Sequence, residues 1–244
     1  MITAIASILL TAPLGKNLEY TVGDDHFVGY AAKAAKFNPN MPVVYVIQDW
    51  NGVDGHEQEV VEKLAAAGYT AFAIDIYGKG VRPHDVKGCS GESGKYYADP
   101  ELYMKRIQDG VNAFPTKGKK IYIGYCFGGS GVLEVARRNM GATGVVSFHG
   151  GLKSLGKDSP KNINTNVLVL HGKADPFVPA ADAEACKKEM LAAAKTFRFV
   201  AYAGAVHAFT VKDMGFTVEG AKYNEAANTK SWAELIGFLN RFAK

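Results

Sequence analysis

The chain alternates between short apolar runs and longer stretches in which apolar residues recur at helical spacing. Most of the short runs are apolar at nearly every position, which is typical of strands buried on both faces of a sheet. A Gly-Asp-Asp turn joins the first two runs as a hairpin. The pattern predicts strands over residues 17–22, 26–32, 41–50, 69–78, 119–125, 142–149, 166–171 and 196–202.

Helical periodicity fills most of the intervals between these strands. Asp54 is placed to cap the first helix and Gly68 to end it, while Asp99 and Pro100 mark the start of the second. The Gly- and Ser-rich residues 78–95 are predicted to form a long loop that would suit a mobile pocket wall. The predicted helices span residues 53–68, 99–113, 127–139, 180–194 and 221–242.

Strands that alternate with helices in this way predict a single α/β domain over residues 1–244. Its sheet should be mostly parallel, with about eight strands, an antiparallel N-terminal edge and helices on both faces. In such a sheet the loops after the carboxyl ends of the strands form the crevice that holds reactive groups. The residues just past each strand are therefore the candidates for chemistry.

Composition and charge narrow the possible partners. With 48% hydrophobic residues among 244 and a formal net charge of +4, the chain can bury a full core, and its basic residues form no stripe with interleaved aromatics. Nucleic acid is therefore not an expected partner, and the expected form is a monomer acting on a small molecule. No spacing of His, Cys, Asp or Glu matches a metal site, so no metal or organic cofactor is predicted.

The cysteines and the N-terminal segment bear on the compartment. Cys89, Cys126 and Cys186 are too few for a disulfide framework, so free thiols are expected. A disulfide between Cys89 and Cys186 is the alternative. Residues 1–16 are apolar but too short to cross a bilayer, with no preceding Lys or Arg and no clear cleavage site. They are either an edge strand, the favoured reading, which fits a cytoplasmic protein, or the clipped export signal of a periplasmic or secreted one.

The strongest signal for chemistry is the segment Gly124-Tyr125-Cys126-Phe127-Gly128, between a predicted strand and a predicted helix. It has the form of a nucleophile elbow, a sharp, strained turn whose small neighbours let strand and helix approach. The N–H groups at the start of the next helix are expected to favour thiolate over thiol at Cys126. The alternative is a buried structural thiol, which would not require glycines on both sides.

Two residues further along the chain match an acid and a base for this nucleophile. Asp175 follows the strand 166–171 and His207 follows the strand 196–202, so both should reach the same edge of the sheet as Cys126. The order nucleophile, acid, histidine is the one that α/β-hydrolases use. Each partner has an ordinary alternative, since Asp175 could only cap a turn and His207 could be a surface-loop histidine.

These motifs resemble those of the dienelactone hydrolase (carboxymethylenebutenolidase) family of the α/β-hydrolase fold. The resemblance runs from about residue 17 to the C-terminus and is carried by VIQDWNGVDGHEQEVVEKLAAAGYTAFAIDIYGKG, IGYCFGG, LHGKADPFVP and GAVHAF. The cysteine elbow is its discriminating part, because most esterases of this fold carry serine there. The resemblance implies that fold, hydrolysis of an ester or lactone, and a triad of Cys126, Asp175 and His207.

The resemblance also implies roles for residues after the third strand. Family members carry a glutamate there that is implicated in activating the resting thiol, and in this chain the position is Asp49, which is one methylene shorter. The alternative for Asp49 is that it only caps the following turn. The backbone N–H groups of Trp50 and Phe127 match the oxyanion hole of the family.

This sequence departs from the family pattern at the substrate pocket. Family members bind the carboxylate of their type substrate with arginines, and one of these positions is Val211 here. Arg82 and Lys79, in the loop after the fourth strand, are the candidates to replace it, and the type substrate is not the expected one. The residues predicted to line the substrate pocket are Gln48, Tyr77, Arg82, His149 and Phe209.

The expected activity is cleavage of a dienelactone-like enol lactone or a small activated ester through an acyl-thioester on Cys126. One alternative is a general carboxylesterase or thioesterase with another physiological substrate, which would use the same residues. The other is a non-catalytic α/β-hydrolase scaffold, against which the intact nucleophile, acid and base argue.

Overall fold

The computed structural model describes residues 14–34, 38, 40–156 and 160–243. The segment before Leu14, where the sequence predicts an edge strand or a signal remnant, lies outside the described residues. Within them the strands of one sheet are β1 (Gly15–Val22), β2 (Asp25–Ala32), β3 (Val43–Ile47), β4 (Ala71–Ile74), β5 (Lys120–Tyr125), β6 (Gly144–Phe148), β7 (Ile163–Gly172) and β8 (Ala194–Tyr202).

The strands lie in the order β1-β2-β4-β3-β5-β6-β7-β8. β1 and β2 pair antiparallel, as do β2 and β4, and every pair from β4 to β8 is parallel. The predicted parallel sheet with an antiparallel N-terminal edge is therefore confirmed. β4 and β6 are buried at every position, as expected for strands covered on both faces.

Six helices in the described part of the chain cover the sheet: α1 (Gly55–Ala66), α2 (Val86–Ala98), α3 (Pro100–Ala113), α4 (Phe127–Arg137), α5 (Ala180–Ala193) and α6 (Glu225–Asn240). Side chains of α1 and α6 share one apolar core with one face of the sheet. Side chains of α2, α3, α4 and α5 share a second core with the other face. The prediction that helices cover both faces is confirmed.

Helix α2 corrects the prediction that residues 78–95 form a long loop. Three glycines and two serines give this helix a low intrinsic propensity, which explains the error. Asp85 caps it by accepting a hydrogen bond from Gly88 N at 2.7 Å. Cys89, Ser93 and Tyr96 follow at helical spacing and are buried, so tertiary packing outweighs propensity here.

A buried ion pair connects α4, the helix after the elbow, to α5. Arg137, near the end of α4, donates to Glu134 Oε1 at 2.9 Å and to Glu189 Oε2 of α5 at 2.9 Å. The Arg137 side chain is 3% exposed and also donates to Leu152 O at 3.0 Å. Because a buried charge without its partner is costly, this contact holds α4 and α5 in a fixed relation.

Two further expectations concern the thiols and the membrane. Cys89, Cys126 and Cys186 are all free, so the Cys89–Cys186 bridge is not formed. Among the helices that the structure describes, none combines the length and apolar character that a bilayer span requires.

Candidate active site

Cys126 lies in a strained turn between β5 and α4. Its backbone has φ 49° and ψ −108°, a conformation that L residues rarely adopt and that typically costs about 1–3 kcal/mol. A Cβ on Gly124 would lie 2.1 Å from Gly128 O, and a Cβ on Gly128 would lie 2.2 Å from Ile47 O. The two glycines are therefore needed for the strand and helix to approach, as the elbow pattern predicts.

A chain of hydrogen bonds runs from the thiol through an imidazole to a carboxylate. His207 Nε2 lies 3.0 Å from Cys126 Sγ, and His207 Nδ1 lies 2.8 Å from Asp175 Oδ2. The Asp175 side chain is fully buried and the imidazole is 12% exposed. The structure thus brings together three residues that are far apart in sequence, at the edge of the sheet where the strand ends predict them.

Backbone contacts hold the acid and the base in place. Asp175 Oδ1 accepts a hydrogen bond from Phe177 N at 2.9 Å, so the carboxylate both caps a turn and orients the imidazole. His207 N donates to Gly220 O at 3.2 Å, and Lys222 N donates to His207 O at 3.0 Å. These bonds pair two segments of the β8–α6 loop, which restricts the position of the ring.

A second carboxylate approaches the thiol from the loop after β3. Asp49, despite its short side chain, lines the same cavity as Cys126 and is close enough for its carboxylate to raise the pKa of the thiol. Asp49 Oδ1 also accepts from Trp50 N at 2.6 Å, so one of the two predicted oxyanion donors is engaged in this state. Glu57, buried in the first turn of α1, accepts from Asp49 N at 3.0 Å and thereby holds the loop against the helix.

The electrostatic environment keeps the resting thiol protonated. Burial raises the pKa of Cys126 well above its usual value, and the negative charge of Asp49 raises it further. The Phe127 N–H lowers this pKa but does not outweigh the other effects. The helix N-terminus thus favours the thiolate, as expected, but burial and the charge of Asp49 outweigh its effect on the pKa of Cys126. Burial also raises the pKa of Asp49, to about 6.

Three residues predicted to line the pocket instead support the Asp49–Trp50 loop. Gln48 Oε1 accepts from Ile76 N at 3.0 Å, and the Tyr77 hydroxyl donates to Trp50 O at 3.0 Å. Arg82 Nε donates to Val53 O at 2.7 Å, and its other nitrogens bind backbone carbonyls and Asp75. The prediction that they line the pocket is wrong, because none of them is in the cavity wall over Cys126 and their hydrogen bonds join strand ends and loops.

The other two predicted pocket residues lie behind the imidazole. His149 and Phe209 are completely buried, and the His149 ring lies 5.3 Å from that of His207 and 5.1 Å from that of Phe209. His149 Nε2 lies 2.8 Å from Thr210 Oγ1, and burial holds the pKa of His149 well below its usual value. Both residues therefore support His207 from the core side and do not line the cavity.

A cavity of about 390 Å³ opens over Cys126 and His207. Asp49 and Trp50 form part of its wall, and the rest comes from segments that carry no chemical signature in the sequence. Helix α2, the turn after Asp175 and the segment before α6 contribute side chains that are mostly apolar, among them Val86, Tyr97, Phe177, Met214 and Val218. In the described part of the chain no cluster of three or more His, Cys, Asp or Glu is arranged to hold a metal ion.

The sheet order, the elbow after its fifth strand and the hydrogen-bonded acid and histidine define a hydrolase of the α/β-hydrolase fold. The model of the dienelactone hydrolase family matches residues 27–243, and the chain belongs to that family.

Related proteins align with most of the chain. A candidate carboxymethylenebutenolidase of Synechocystis sp. is 27% identical over 256 residues, covering 96% of each chain. Another, of Methylorubrum extorquens, is 30% identical over 200 residues, covering 74% of this chain and 67% of the relative. A solved dienelactone hydrolase-like promiscuous phosphotriesterase from metagenomic libraries has a TM-score of 0.84 at 28% identity, covering 93% of this chain and 98% of that one. The protein is therefore a carboxylic ester hydrolase, and the scaffold alternative is set aside.

Proposed function

We propose that this hydrolase cleaves carboxylic esters or lactones by nucleophilic catalysis at Cys126, with His207 as base and then acid and Asp175 as the carboxylate that orients it. The observation that carries the proposal is the unbroken succession of contacts, 3.0 Å from Sγ to Nε2 and 2.8 Å from Nδ1 to Oδ2. The strained turn supports it, because a structural thiol would not need such a backbone conformation.

In the first half of the reaction, His207 Nε2 takes the thiol proton as Sγ forms a bond to the carbonyl carbon. The buried Asp175 carboxylate stabilises the resulting imidazolium. When the tetrahedral intermediate collapses, the bond from carbon to the leaving oxygen breaks, and that oxygen takes the proton from His207. The product alcohol departs and leaves an acyl-thioester on Cys126.

In the second half, His207 removes a proton from a water molecule, whose oxygen attacks the thioester carbonyl. The carbon–sulfur bond then breaks, Sγ recovers its proton from His207, and the carboxylic acid leaves. Thiolate is a better leaving group than an amine, so amides, which require expulsion of the amine, are expected to be poor substrates.

The oxyanion of both intermediates is assigned to the N–H groups of Phe127 and Trp50. The Trp50 N–H bonds to Asp49 at rest, so binding of a carbonyl oxygen there requires the Asp49 carboxylate to give up that contact. We therefore assign Asp49 two functions: it keeps the thiol neutral until substrate arrives, and its displacement frees the oxyanion donor.

The acyl-enzyme is the direct test of this function. Reaction with p-nitrophenyl butyrate followed by an acid quench should yield a butyryl adduct that intact-mass and peptide analysis locate on Cys126. Treatment with hydroxylamine should remove it, as expected for a thioester. The C186A variant, which lacks a buried thiol remote from the cavity, should form the same adduct. An adduct confined to a serine would contradict the proposal.

Substitution of Asp49 by asparagine is expected to make the resting thiol more reactive. The negative charge of Asp49 raises the pKa of Cys126, so its removal should lower that pKa and increase the thiolate fraction at neutral pH. Alkylation by iodoacetamide should accelerate by about tenfold for each unit of the fall. The measurement is the labelling rate of Cys126 against pH.

The D182N variant is the matched control, because Asp182 lies on the rim of an adjoining groove and is not among the groups that raise the thiol pKa. Its labelling profile should coincide with that of the native protein. A D49N profile that shifts to higher pH would contradict the role assigned to Asp49.

A further inference from the structure

We propose that the natural substrate is an uncharged ester whose apolar part lies between Tyr97 and Phe177, and that these two rings determine its selection. This inference rests on the proposed function, because it concerns the occupant of the same cavity. It differs from the family pattern, in which arginines bind a substrate carboxylate.

The first argument is the clustering of exposed apolar side chains at the cavity mouth. Phe177 is 51% exposed, Val86 46% and Tyr97 39%, and all three line the cavity. In the described ranges, the large hydrophobic residues exposed elsewhere are Leu14 and Leu191. Because exposed apolar surface is unfavourable in water, its concentration around one opening marks a surface that an apolar ligand covers.

The second argument is the charge of the wall. Among the described residues that line the cavity there is no lysine or arginine, and the carboxylate there is that of Asp49. Arg82 is bound to backbone carbonyls and Asp75, and Lys79 forms an ion pair with Glu19 at 2.9 Å. A substrate carboxylate would therefore lose its hydration next to a like charge without gaining a cation, which is strongly unfavourable.

The third argument is the placement of the two rings beside the reacting atoms. Phe177 contacts the His207 ring edge-on, with centroids 5.2 Å apart, and Tyr97 packs edge-on against Phe127 at 5.4 Å. Both rings also line a shallower groove that continues past Gly151. A chain attached to the carbonyl over Cys126 would pass between them into this groove.

The groove itself favours a neutral substrate of moderate length. Lys153 lines it, but Asp182 lines it as well and offsets that charge. An acyl chain that extends from the cavity would cover the exposed face of Phe177 before it reaches either group. Longer neutral esters should therefore bind more tightly than acetate, until the chain leaves the apolar wall.

A pair of esters that differ only in charge tests the proposal. In p-nitrophenyl hemisuccinate a carboxylate replaces the terminal methyl group of p-nitrophenyl butyrate. The native enzyme should hydrolyse the butyrate with a kcat/KM about 100-fold higher, because the cavity offers the carboxylate no partner. Equal or faster hydrolysis of the hemisuccinate would overturn the proposal.

A charge added to the wall provides the reciprocal measurement. Ser90 is an exposed residue of α2 that lines the cavity. S90R should raise the ratio of kcat/KM for the hemisuccinate to kcat/KM for the butyrate by about tenfold relative to the same ratio in the matched S90Q variant, which adds side-chain length without charge. If S90R and S90Q respond alike, the wall charge does not control selection.

The role of the rings is tested by chain length. F177A should lower the ratio of kcat/KM for p-nitrophenyl hexanoate to kcat/KM for the acetate by about tenfold, because the acetate does not reach the ring. Retained acetate turnover also reports that the variant is folded. L191A, which truncates an exposed leucine on α5, is the control and should leave both substrates unchanged. An unaltered preference for the hexanoate in F177A would refute the assignment.

These outcomes separate the inference from the function on which it rests. If C126A hydrolyses the butyrate at the native rate, the proposed function fails. If hydrolysis depends on Cys126 but shows no preference for the neutral ester, the proposed function stands and the inference fails.

Discussion

The C126A variant is expected to lose at least about four orders of magnitude in kcat/KM for p-nitrophenyl butyrate. Without the sulfur no acyl-thioester can form, and the remaining imidazole and N–H groups contribute only residual catalysis. The measurement is nitrophenolate release under saturating and subsaturating ester. The loss should appear in kcat, because the apolar walls that bind the ester are unchanged.

Two controls make this result specific. Removal of the side chain leaves the backbone of the elbow in place, so circular dichroism and the melting temperature should resemble those of the native protein. C186A removes a different buried thiol and should retain the native rate. Residual activity in C126A above a few per cent of native would assign the nucleophile to another residue.

The H207A variant is expected to lose about three orders of magnitude or more in kcat. His207 lies 3.0 Å from Sγ and is positioned to take the thiol proton, while the high pKa of Cys126 means that few thiols ionise without help. Its loss should also stop deacylation, because the imidazole assigned to deprotonate the attacking water is then absent. A slow release of one equivalent of nitrophenolate at alkaline pH, followed by arrest, should therefore replace turnover.

The release of one equivalent of nitrophenolate distinguishes H207A from C126A. H207A retains the sulfur and should accumulate the acyl-thioester, which intact-mass analysis detects, whereas C126A should show neither release nor adduct. Continued turnover by H207A at alkaline pH would show that another base activates the water. Substitution of His84, which is exposed and outside the cavity wall, gives the control for loss of an imidazole.

A protonated resting thiol has a consequence for how the enzyme survives between turnovers. A thiolate is readily oxidised or alkylated, and a buried neutral thiol is far less so. Under the role proposed for Asp49, the reactive thiolate forms only when a carbonyl oxygen competes with Asp49 for the Trp50 N–H. This coupling would explain why a carboxylate that opposes ionisation lies beside the nucleophile.

Much of the fold follows from patterns that are local in the chain. Strands buried on both faces are apolar throughout, and capping residues such as Asp54 and Asp99 mark where helices begin, so the positions of the strands and most helices could be predicted. Helix α2 could not be predicted, because its glycines and serines have low helix propensity and only a few of its residues are buried. Its stability comes from packing against distant residues, and no local signal reports that packing.

The sequence by itself determined the order of the elements and, from it, which residues reach the carboxyl edge of the sheet. That is why Cys126, Asp175 and His207 could be found as a set, since a side chain just past a parallel strand has one edge on which to lie. Tertiary structure alone decided the ionisation of the thiol, the internal bonding of Gln48, Tyr77 and Arg82, and the apolar walls of the cavity. Each of these properties depends on the burial and charge of residues that are far apart in the chain. The hydrophobic periodicity of the sequence does not report which distant residues come together.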